Sequence, residues 1–240
     1  MFDPDQIKGI LLDYGGTIDS NGTHWSEVIW EAYQTLQIPV DKDLFRQAYI
    51  HGERTLATHR MVLPHHNFRH VLRLKAELQM QWLHDSRQLA AGDRAPHLAA
   101  RIADLCYTFA RSSVSVARPI LKSLSERYPL VLVTNFYGNI QTVLEDFSLN
   151  EFFDAVVESS AAGVRKPDPG IFQLGIDQTG FAPRELVAVG DSYDKDILPS
   201  STLGCHTVWL KKSGWNPYRG DETADAVITS ITELNDIFHL

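Results

Sequence analysis

The sequence predicts an α/β protein with a doubly wound (Rossmann-like), mainly parallel sheet and an inserted all-helical domain. Short apolar runs rich in β-branched residues recur along the chain, and segments with helical spacing of apolar residues separate most of them. Only helical patterns occur between residues 20 and 115. Alternating strands and helices are typical of a parallel sheet, so the uniformly helical stretch is expected to be an insertion.

Six apolar runs have the length and composition of buried strands. Since they are apolar on both faces, each suits a strand that helices cover from both sides. The runs are Lys8–Tyr14, Leu130–Asn135, Ala155–Ser160, Leu186–Asp191, His206–Leu210 and Ala226–Ser230.

Helical periodicity fills the intervals between these runs. In the second half of the chain it predicts crossover helices over Asn139–Phe147, Gly170–Thr179 and Asp194–Leu203. In the insertion it predicts helices over Ser26–Leu36, Phe68–Leu89 and Leu98–Ala110. We therefore expect an α/β core of residues 1–19 and 116–240 and a helical domain of residues 20–115.

Composition narrows the classes of partner. The formal net charge is -8 and no basic cluster occurs, which disfavours binding to nucleic acid or to an anionic membrane surface. No apolar segment approaches the ~20 residues of a membrane span. The two cysteines, Cys106 and Cys205, lack metal-ligand spacing, which is typical of a reducing compartment. A cytoplasmic protein that acts on a small molecule is expected.

Polar residues follow the predicted strands where a parallel sheet binds its ligands. The first strand leads into Asp-Tyr-Gly-Gly-Thr-Ile-Asp at positions 13–19, and the second ends in Thr134 and Asn135. Lys166 follows the third strand and Asp191 ends the fourth. Because the carboxyl ends of parallel strands share one edge of the sheet, these residues are expected to form one site.

These residue types suit a phosphoryl group and a hard cation. A carboxylate such as Asp13 can coordinate the cation through one oxygen and attack phosphorus with the other, and Asp191 offers a second hard ligand. The Thr134 hydroxyl can hold a non-bridging oxygen, and Lys166 supplies positive charge. Glycines two and three positions after Asp13 allow the backbone to approach the anion closely.

The same segments resemble the four motifs of the haloacid dehalogenase superfamily, whose members are mostly magnesium-dependent phosphatases. The resemblance covers about 7–20 and 115–240, and the helical insertion resembles the family's cap domain in position and character. The matching segments are Asp13 to Thr17, Thr134-Asn135, Lys166-Pro167, and Gly190-Asp191 with Asp196.

The resemblance implies a role for each of these residues. Asp13 would form an aspartyl-phosphate, with Lys166 steadying it. The residues that would contact the phosphoryl group are Gly16, Thr17, Thr134 and Asn135. The residues that would hold Mg²⁺ are Asp13, the backbone carbonyl of Gly15, and Asp191. Asp196 would be an occasional metal ligand, or would support the other ligands without contacting the metal.

The chain departs from the family at Gly15, where the phosphatases carry the aspartate that protonates the leaving group and activates water. Proton transfer of this kind is worth about 10²–10⁴-fold in rate. The substrate would then have a good leaving group, such as an anhydride, or another residue would supply the proton. Asp19, His24 and His51 are candidates by location. A catalytically weak or inactive phosphate- and metal-binding protein is a further alternative.

A different hydrolytic reaction is also open, because the dehalogenase and carbon–phosphorus-cleaving branches lack this carboxylate too. The dehalogenases generally lack the acidic fourth motif that Asp191 supplies here. Neither cap lysine, Lys42 or Lys75, lies in a segment that matches the carbon–phosphorus branch. His66 and His70 have helix-face spacing, but without a completing carboxylate or cysteine we interpret the cap histidines as pocket or surface polarity.

Overall fold

A six-stranded parallel sheet forms the centre of the computed structural model, which describes residues 2–86, 95–212 and 223–240. The strands are β1 (Gly9–Leu12), β2 (Leu130–Thr134), β3 (Ala155–Glu158), β4 (Leu186–Gly190), β5 (His206–Leu210) and β6 (Ala226–Ile228). Their order is β3-β2-β1-β4-β5-β6, and every neighbouring pair is parallel. This confirms the predicted doubly wound fold and places the reversal of strand order between β1 and β4.

Helices cover both faces of this sheet. Ile10 and Leu12 of β1 belong to one buried apolar cluster, whereas Leu11 between them belongs to a second. This alternation follows from the pleat, which points successive side chains to opposite faces. The core helices are α5 (Ile140–Asp146), α6 (Ser159–Ala162), α7 (Gly170–Thr179), α8 (Leu198–Thr202) and α9 (Leu234–Phe238).

The described residues of the insertion between β1 and β2 form helices joined by loops, without a strand, as expected. Its helices are α1 (Trp25–Thr35), α2 (Lys42–Thr58), α3 (Phe68–Asp85) and α4 (Ala95–Ser125). Tyr33 of α1 is fully buried and donates a hydrogen bond of 3.1 Å to Gln79 of α3, so the helices share one core. We call residues between β1 and α4 the cap.

Several element boundaries differ from the sequence prediction. The third strand ends at Glu158 rather than at residue 160, because Ser159 begins α6. The predicted crossover helix at 194–203 is divided into a π-helical turn, Tyr193–Ile197, and α8. The last residues of the predicted helix Phe68–Leu89 lie outside the described part of the chain.

Helix α4 is much longer than the predicted Leu98–Ala110. It runs without interruption for 31 residues, contains Pro119, and crosses the expected boundary between residues 115 and 116. The division into a core of 1–19 and 116–240 and a cap of 20–115 stays a prediction. Within the described residues, no helix combines the length and apolar character that crossing a membrane requires.

Candidate active site

A lysine and two carboxylates form a buried ionic group beyond the ends of β1 and β4. Lys166 Nζ lies 2.6 Å from Asp13 Oδ1 and 2.6 Å from Asp196 Oδ1. Burial alone would lower the pKa of Lys166, but the two carboxylates outweigh burial and raise it. The lysine is therefore charged at neutral pH and holds both carboxylates in place. The sequence prediction that residues 13 and 166 meet is consistent with this geometry.

Asp191 completes a cluster of three carboxylates with Asp13 and Asp196, and their oxygens approach within 4.8 Å of one another. Burial raises the pKa of Asp13 to about 6 and that of Asp191 well above its ordinary value. The single ammonium of Lys166 does not balance three carboxylates. A divalent cation would supply the missing positive charge. An all-oxygen donor set of this kind fits Mg²⁺.

The backbone at the end of β4 packs closely against Asp196. A Cβ atom on Gly190 would lie 2.3 Å from the Cβ of Asp196, so the position tolerates no side chain. The Ser192 N–H donates to Asp196 Oδ2 at 2.9 Å, and the Trp209 indole donates to the Asp191 carbonyl at 2.9 Å. Both oxygens of Asp196 have protein partners, as do both oxygens of Asp13, but Asp196 is the more deeply buried, at 2% exposure against 7%, which favours a supporting role for Asp196.

The turn after β1 carries Asp13 and has free space beside Gly15. Gly16 has a φ of +100°, and a Cβ there would lie 2.4 Å from the Asp191 carboxyl group. Thr17 donates to Asp13 Oδ2 at 3.3 Å, which orients the carboxylate rather than leaving the hydroxyl for substrate. At Gly15, by contrast, a Cβ would meet nothing within 4 Å. There is therefore free space for a side chain at position 15.

Thr134 and Asn135 end β2 on the same side of the sheet but have different surroundings. The Thr134 hydroxyl is buried and has no hydrogen-bond partner within the described residues. Since an unpaired buried hydroxyl is costly, a phosphoryl oxygen at this position would satisfy it. The Asn135 side chain instead bonds the Lys166 backbone twice, accepting from its N–H at 2.9 Å and donating to its carbonyl at 3.0 Å. Asn135 thereby fixes the loop that carries Lys166.

Of the three residues that sequence position suggested as substitute proton donors, Asp19 and His24 line the cavity, and His51 is exposed on α2. Asp19 is almost fully buried and accepts hydrogen bonds from the Gly16 N–H at 2.7 Å and the Trp25 indole at 2.9 Å. His24 Nδ1 accepts from the Ser26 N–H at 3.2 Å, and burial lowers its pKa. Both side chains therefore support local structure.

Asp19 makes stability depend on pH, because burial raises its pKa to about 7. As pH falls, the Asp19 carboxylate takes up a proton near pH 7 in the folded protein but only near pH 4 in the unfolded chain. The resulting stabilisation is fully present below about pH 4 and is lost as pH rises through about 7. We expect Asp19→Asn to flatten the decline in unfolding free energy between pH 5 and pH 8, by up to about 1.4 kcal/mol per pH unit.

Urea unfolding in metal-free buffer at several pH values measures this effect, with the exposed Asp177→Asn as the control. Parallel profiles for wild type and Asp19→Asn would contradict the assignment.

Above these residues lies a cavity of about 1110 Å³ between the sheet edge and the cap helices α2 and α3. Lys75 of α3 lies 2.8 Å from Glu53 Oε1 of α2, and Tyr137 of the core donates to Glu53 Oε2 at 3.3 Å. Sequence reasoning assigned no role to these three residues. Helical periodicity marks the faces of α2 and α3, but only their packing identifies the face that meets the cavity.

The cap histidines form no metal site within the described chain. The rings of His66 and His70 stack with centroids 3.8 Å apart, and His66 Nδ1 accepts from the Leu63 N–H at 3.2 Å. The described residues offer one group of three potential ligands, the carboxylates of Asp13, Asp191 and Asp196. The interpretation of His66 and His70 as ordinary polar residues agrees with this arrangement.

Comparison with known proteins assigns most of the chain, including strands β1 to β4, to one family. The sequence pattern of the haloacid dehalogenase-like hydrolases matches residues 7–200. The chain is 28% identical over 205 residues to the glyceraldehyde 3-phosphate phosphatase of Pyrococcus furiosus, covering 83% of this chain and 78% of that protein. It is 32% identical over 121 residues to the N-acylneuraminate-9-phosphatase of Rattus norvegicus, covering 49% of this chain and 48% of that one.

Solved structures share the fold at lower identity. A putative hydrolase of this family from Bacillus subtilis, bound to magnesium, superimposes with a TM-score of 0.61 at 17% identity, covering 98% of this chain and 99% of that chain. Dehalogenases also occur among the solved structures of similar fold. The family pattern spans the turn after β1, the cap and the acidic strand ends described above. The chain belongs to the haloacid dehalogenase-like hydrolases.

Proposed function

We propose that this protein is a magnesium-dependent phosphatase that hydrolyses a small phosphorylated metabolite through an aspartyl-phosphate on Asp13. The observation that carries the proposal is the buried Asp13 carboxylate, held by Lys166 beside two further carboxylates at the floor of a cavity. The phosphatase names of the relatives support the same chemistry. The acidic Asp191 supports it against dehalogenation, whose nucleophile needs no cation.

In this mechanism the reaction proceeds through two displacements at phosphorus. In the first, an Asp13 oxygen forms a bond to phosphorus while the bond to the leaving oxygen breaks, and that oxygen takes up a proton. In the second, water attacks phosphorus and loses a proton to the surrounding water, the bond to Asp13 breaks, and inorganic phosphate leaves. Lys166 steadies the charge on Asp13, and the Thr134 hydroxyl donates to a phosphoryl oxygen.

Magnesium would be held by Asp13, Asp191 and the backbone carbonyl of Gly15, with Asp196 behind them, and would neutralise charge on the phosphoryl group. Gly16 and Thr17 would shape the anion-binding turn. Asn135 would contribute by holding the Lys166 loop, through the two hydrogen bonds to its backbone.

The missing carboxylate at position 15 favours a substrate whose leaving group needs little protonation. Both Asp19 oxygens and His24 Nδ1 are already engaged in hydrogen bonds within the protein. A mixed anhydride or acyl phosphate would release a weakly basic group, so water in the cavity could supply the proton. Four exposed basic residues around the cavity, Arg54, Arg60, Arg165 and Lys195, would attract such an anion.

A substrate panel with and without magnesium tests the proposal. We expect phosphate release from acyl phosphates and anhydrides that requires Mg²⁺ and stops in EDTA. Absence of release across anhydrides, acyl phosphates and phosphomonoesters would overturn it. In that case, a rise in melting temperature with Mg²⁺ plus orthovanadate would indicate a binding protein. Halide release from 2-haloacids without Mg²⁺ would indicate a dehalogenase.

A further inference from the structure

The cap side of the cavity carries an ion pair that the proposed chemistry does not use. Lys75 and Glu53 lie 2.8 Å apart, with side chains 12% and 30% exposed, and both line the cavity. They belong to different cap helices, and Tyr137 links Glu53 to the core. We call these three side chains the cap triad. Because Glu53 and Lys75 lie on cap helices, across the cavity from the sheet edge that carries Asp13, we expect them to meet the part of a substrate away from phosphorus.

The surroundings of Lys75 favour its charged form. Burial would lower the pKa of Lys75, but Glu53, Tyr137 and Tyr49 together raise it well above its ordinary value. The Lys75 ammonium also lies 5.4 Å from the Tyr137 ring centroid. The pair presents an ammonium donor and a carboxylate acceptor side by side, with no net charge.

This combination matches a hydroxyl group better than an anion. A hydroxyl both accepts from an ammonium and donates to a carboxylate, so it can bind the two members of the pair together. A second carboxylate or phosphate would also meet Lys75, but would approach Glu53 as a like charge in a partly buried setting, which is unfavourable. The exposed arginines at the mouth are screened by salt and discriminate weakly.

We propose that Glu53, Lys75 and Tyr137 determine specificity by binding uncharged hydroxyl groups and by rejecting substrates that carry a second anion at this end. The substrate class is thus a polyhydroxy compound that carries an acyl phosphate or another phosphate with a good leaving group. The surrounding aromatic side chains fit such a compound, since sugar rings pack their apolar faces against aromatic surfaces. Those lining the cavity are Trp25, Tyr49, Phe68 and Phe136. The inference rests on the proposed phosphatase function.

Two ligands that differ only at the remote end test the inference. Glucose 1-phosphate and glucuronic acid 1-phosphate carry the same anomeric phosphate, but one has a neutral hydroxymethyl group where the other has a carboxylate. Binding is measured by calorimetry with Mg²⁺ in an Asp13→Asn background, because asparagine keeps an oxygen near the metal and prevents turnover. The result is therefore independent of whether the wild-type protein releases phosphate.

We expect the neutral ligand to bind at least about tenfold more tightly than the anionic one, a difference of about 1.4 kcal/mol. Glu53→Gln should reduce this ratio to about threefold or less, because the glutamine amide does not repel a carboxylate. Glu77→Gln removes the same charge from α3, where Glu77 pairs with Arg73, and should leave the ratio at tenfold. A purely structural role for Glu53 would weaken both ligands equally.

Glu53→Gln leaves Lys75 without its partner, which can destabilise the fold. The double variant Glu53→Gln with Lys75→Met removes both charges and should show the same loss of discrimination. Equal or tighter binding of the anionic ligand in the background protein, an unchanged ratio in both variants, or no binding of either ligand would overturn the inference. Failure of the phosphatase proposal would instead appear as absent phosphate release in the wild-type panel.

Discussion

Replacing Gly15 with aspartate is expected to raise turnover of alkyl phosphate esters by about 10²–10⁴-fold, the usual contribution of a positioned proton donor. The structure permits the change, because a Cβ at this position would meet nothing within 4 Å and the φ of Gly15 is not positive. The new carboxyl group would stand two residues after the nucleophile, beside the leaving oxygen.

The dependence on the leaving group makes this prediction specific. Gly15→Asp should accelerate a methyl or glycerol phosphate far more than acetyl phosphate, whose leaving group needs little protonation. The matched control is Gly15→Asn, which has nearly the same size but cannot transfer the proton. The comparison uses steady-state kcat for both substrates with each protein. A similar acceleration of both substrates, or an equal gain in Gly15→Asn, would contradict this account of position 15.

Asp13→Asn is expected to remove phosphate release almost entirely, since loss of a hydrolase nucleophile costs on the order of 10⁶-fold in kcat. The fold should survive, because Lys166 keeps its second carboxylate, Asp196, at 2.6 Å. A melting temperature close to that of the wild type would separate lost chemistry from lost structure. Colorimetric phosphate release and thermal unfolding are measured on the same preparations.

The neighbouring Asp194→Asn provides the control for this substitution. Asp194 is exposed in the turn after β4 and does not belong to the carboxylate cluster, so its variant should keep most of the activity. Residual activity of Asp13→Asn within tenfold of the wild type would mean that Asp13 is not the nucleophile.

The sequence was sufficient to predict which strand ends carry the polar site. Asp13 follows β1 and Asp191 follows β4, and these strands are adjacent, with Leu12 paired to Val189. Parallel pairing therefore brings together carboxylates that lie far apart in the chain. The apolar character of the strands made them recognisable, because burial on both faces leaves little freedom in composition.

The functions of individual polar residues were harder to predict, because they depend on which partner each side chain finds. Asn135 resembles a ligand for the phosphoryl group, yet its amide is engaged by the Lys166 backbone. Glu53 and Lys75 lie on separate helices and acquire a joint role only through the packing of α2 against α3. Sequence periodicity carries no information about that packing angle.

The length of α4 was underestimated for a local reason. Its second half is rich in serine and contains Pro119, residues that ordinarily oppose a helix interior. In the folded chain the serine hydroxyls bond back to helix carbonyls, Ser112 to Thr108 at 3.1 Å and Ser115 to Ser112 at 2.7 Å. Burial of Val114, Ala117 and the apolar residues that follow supports this part of the helix despite its weak propensity.

This uninterrupted helix constrains how substrate enters and leaves. At 31 residues it is about 46 Å long, and it leads through a short connection into β2, the strand that ends in Thr134. One of the two connections between the cap and the core is therefore a rigid helix. An outward movement of the cap requires α4 to bend. The weakest point along it is Pro119, whose missing N–H deprives the carbonyl four residues earlier of a partner. Opening of the cap would then bend α4, and the bend would be transmitted to β2, which ends in Thr134.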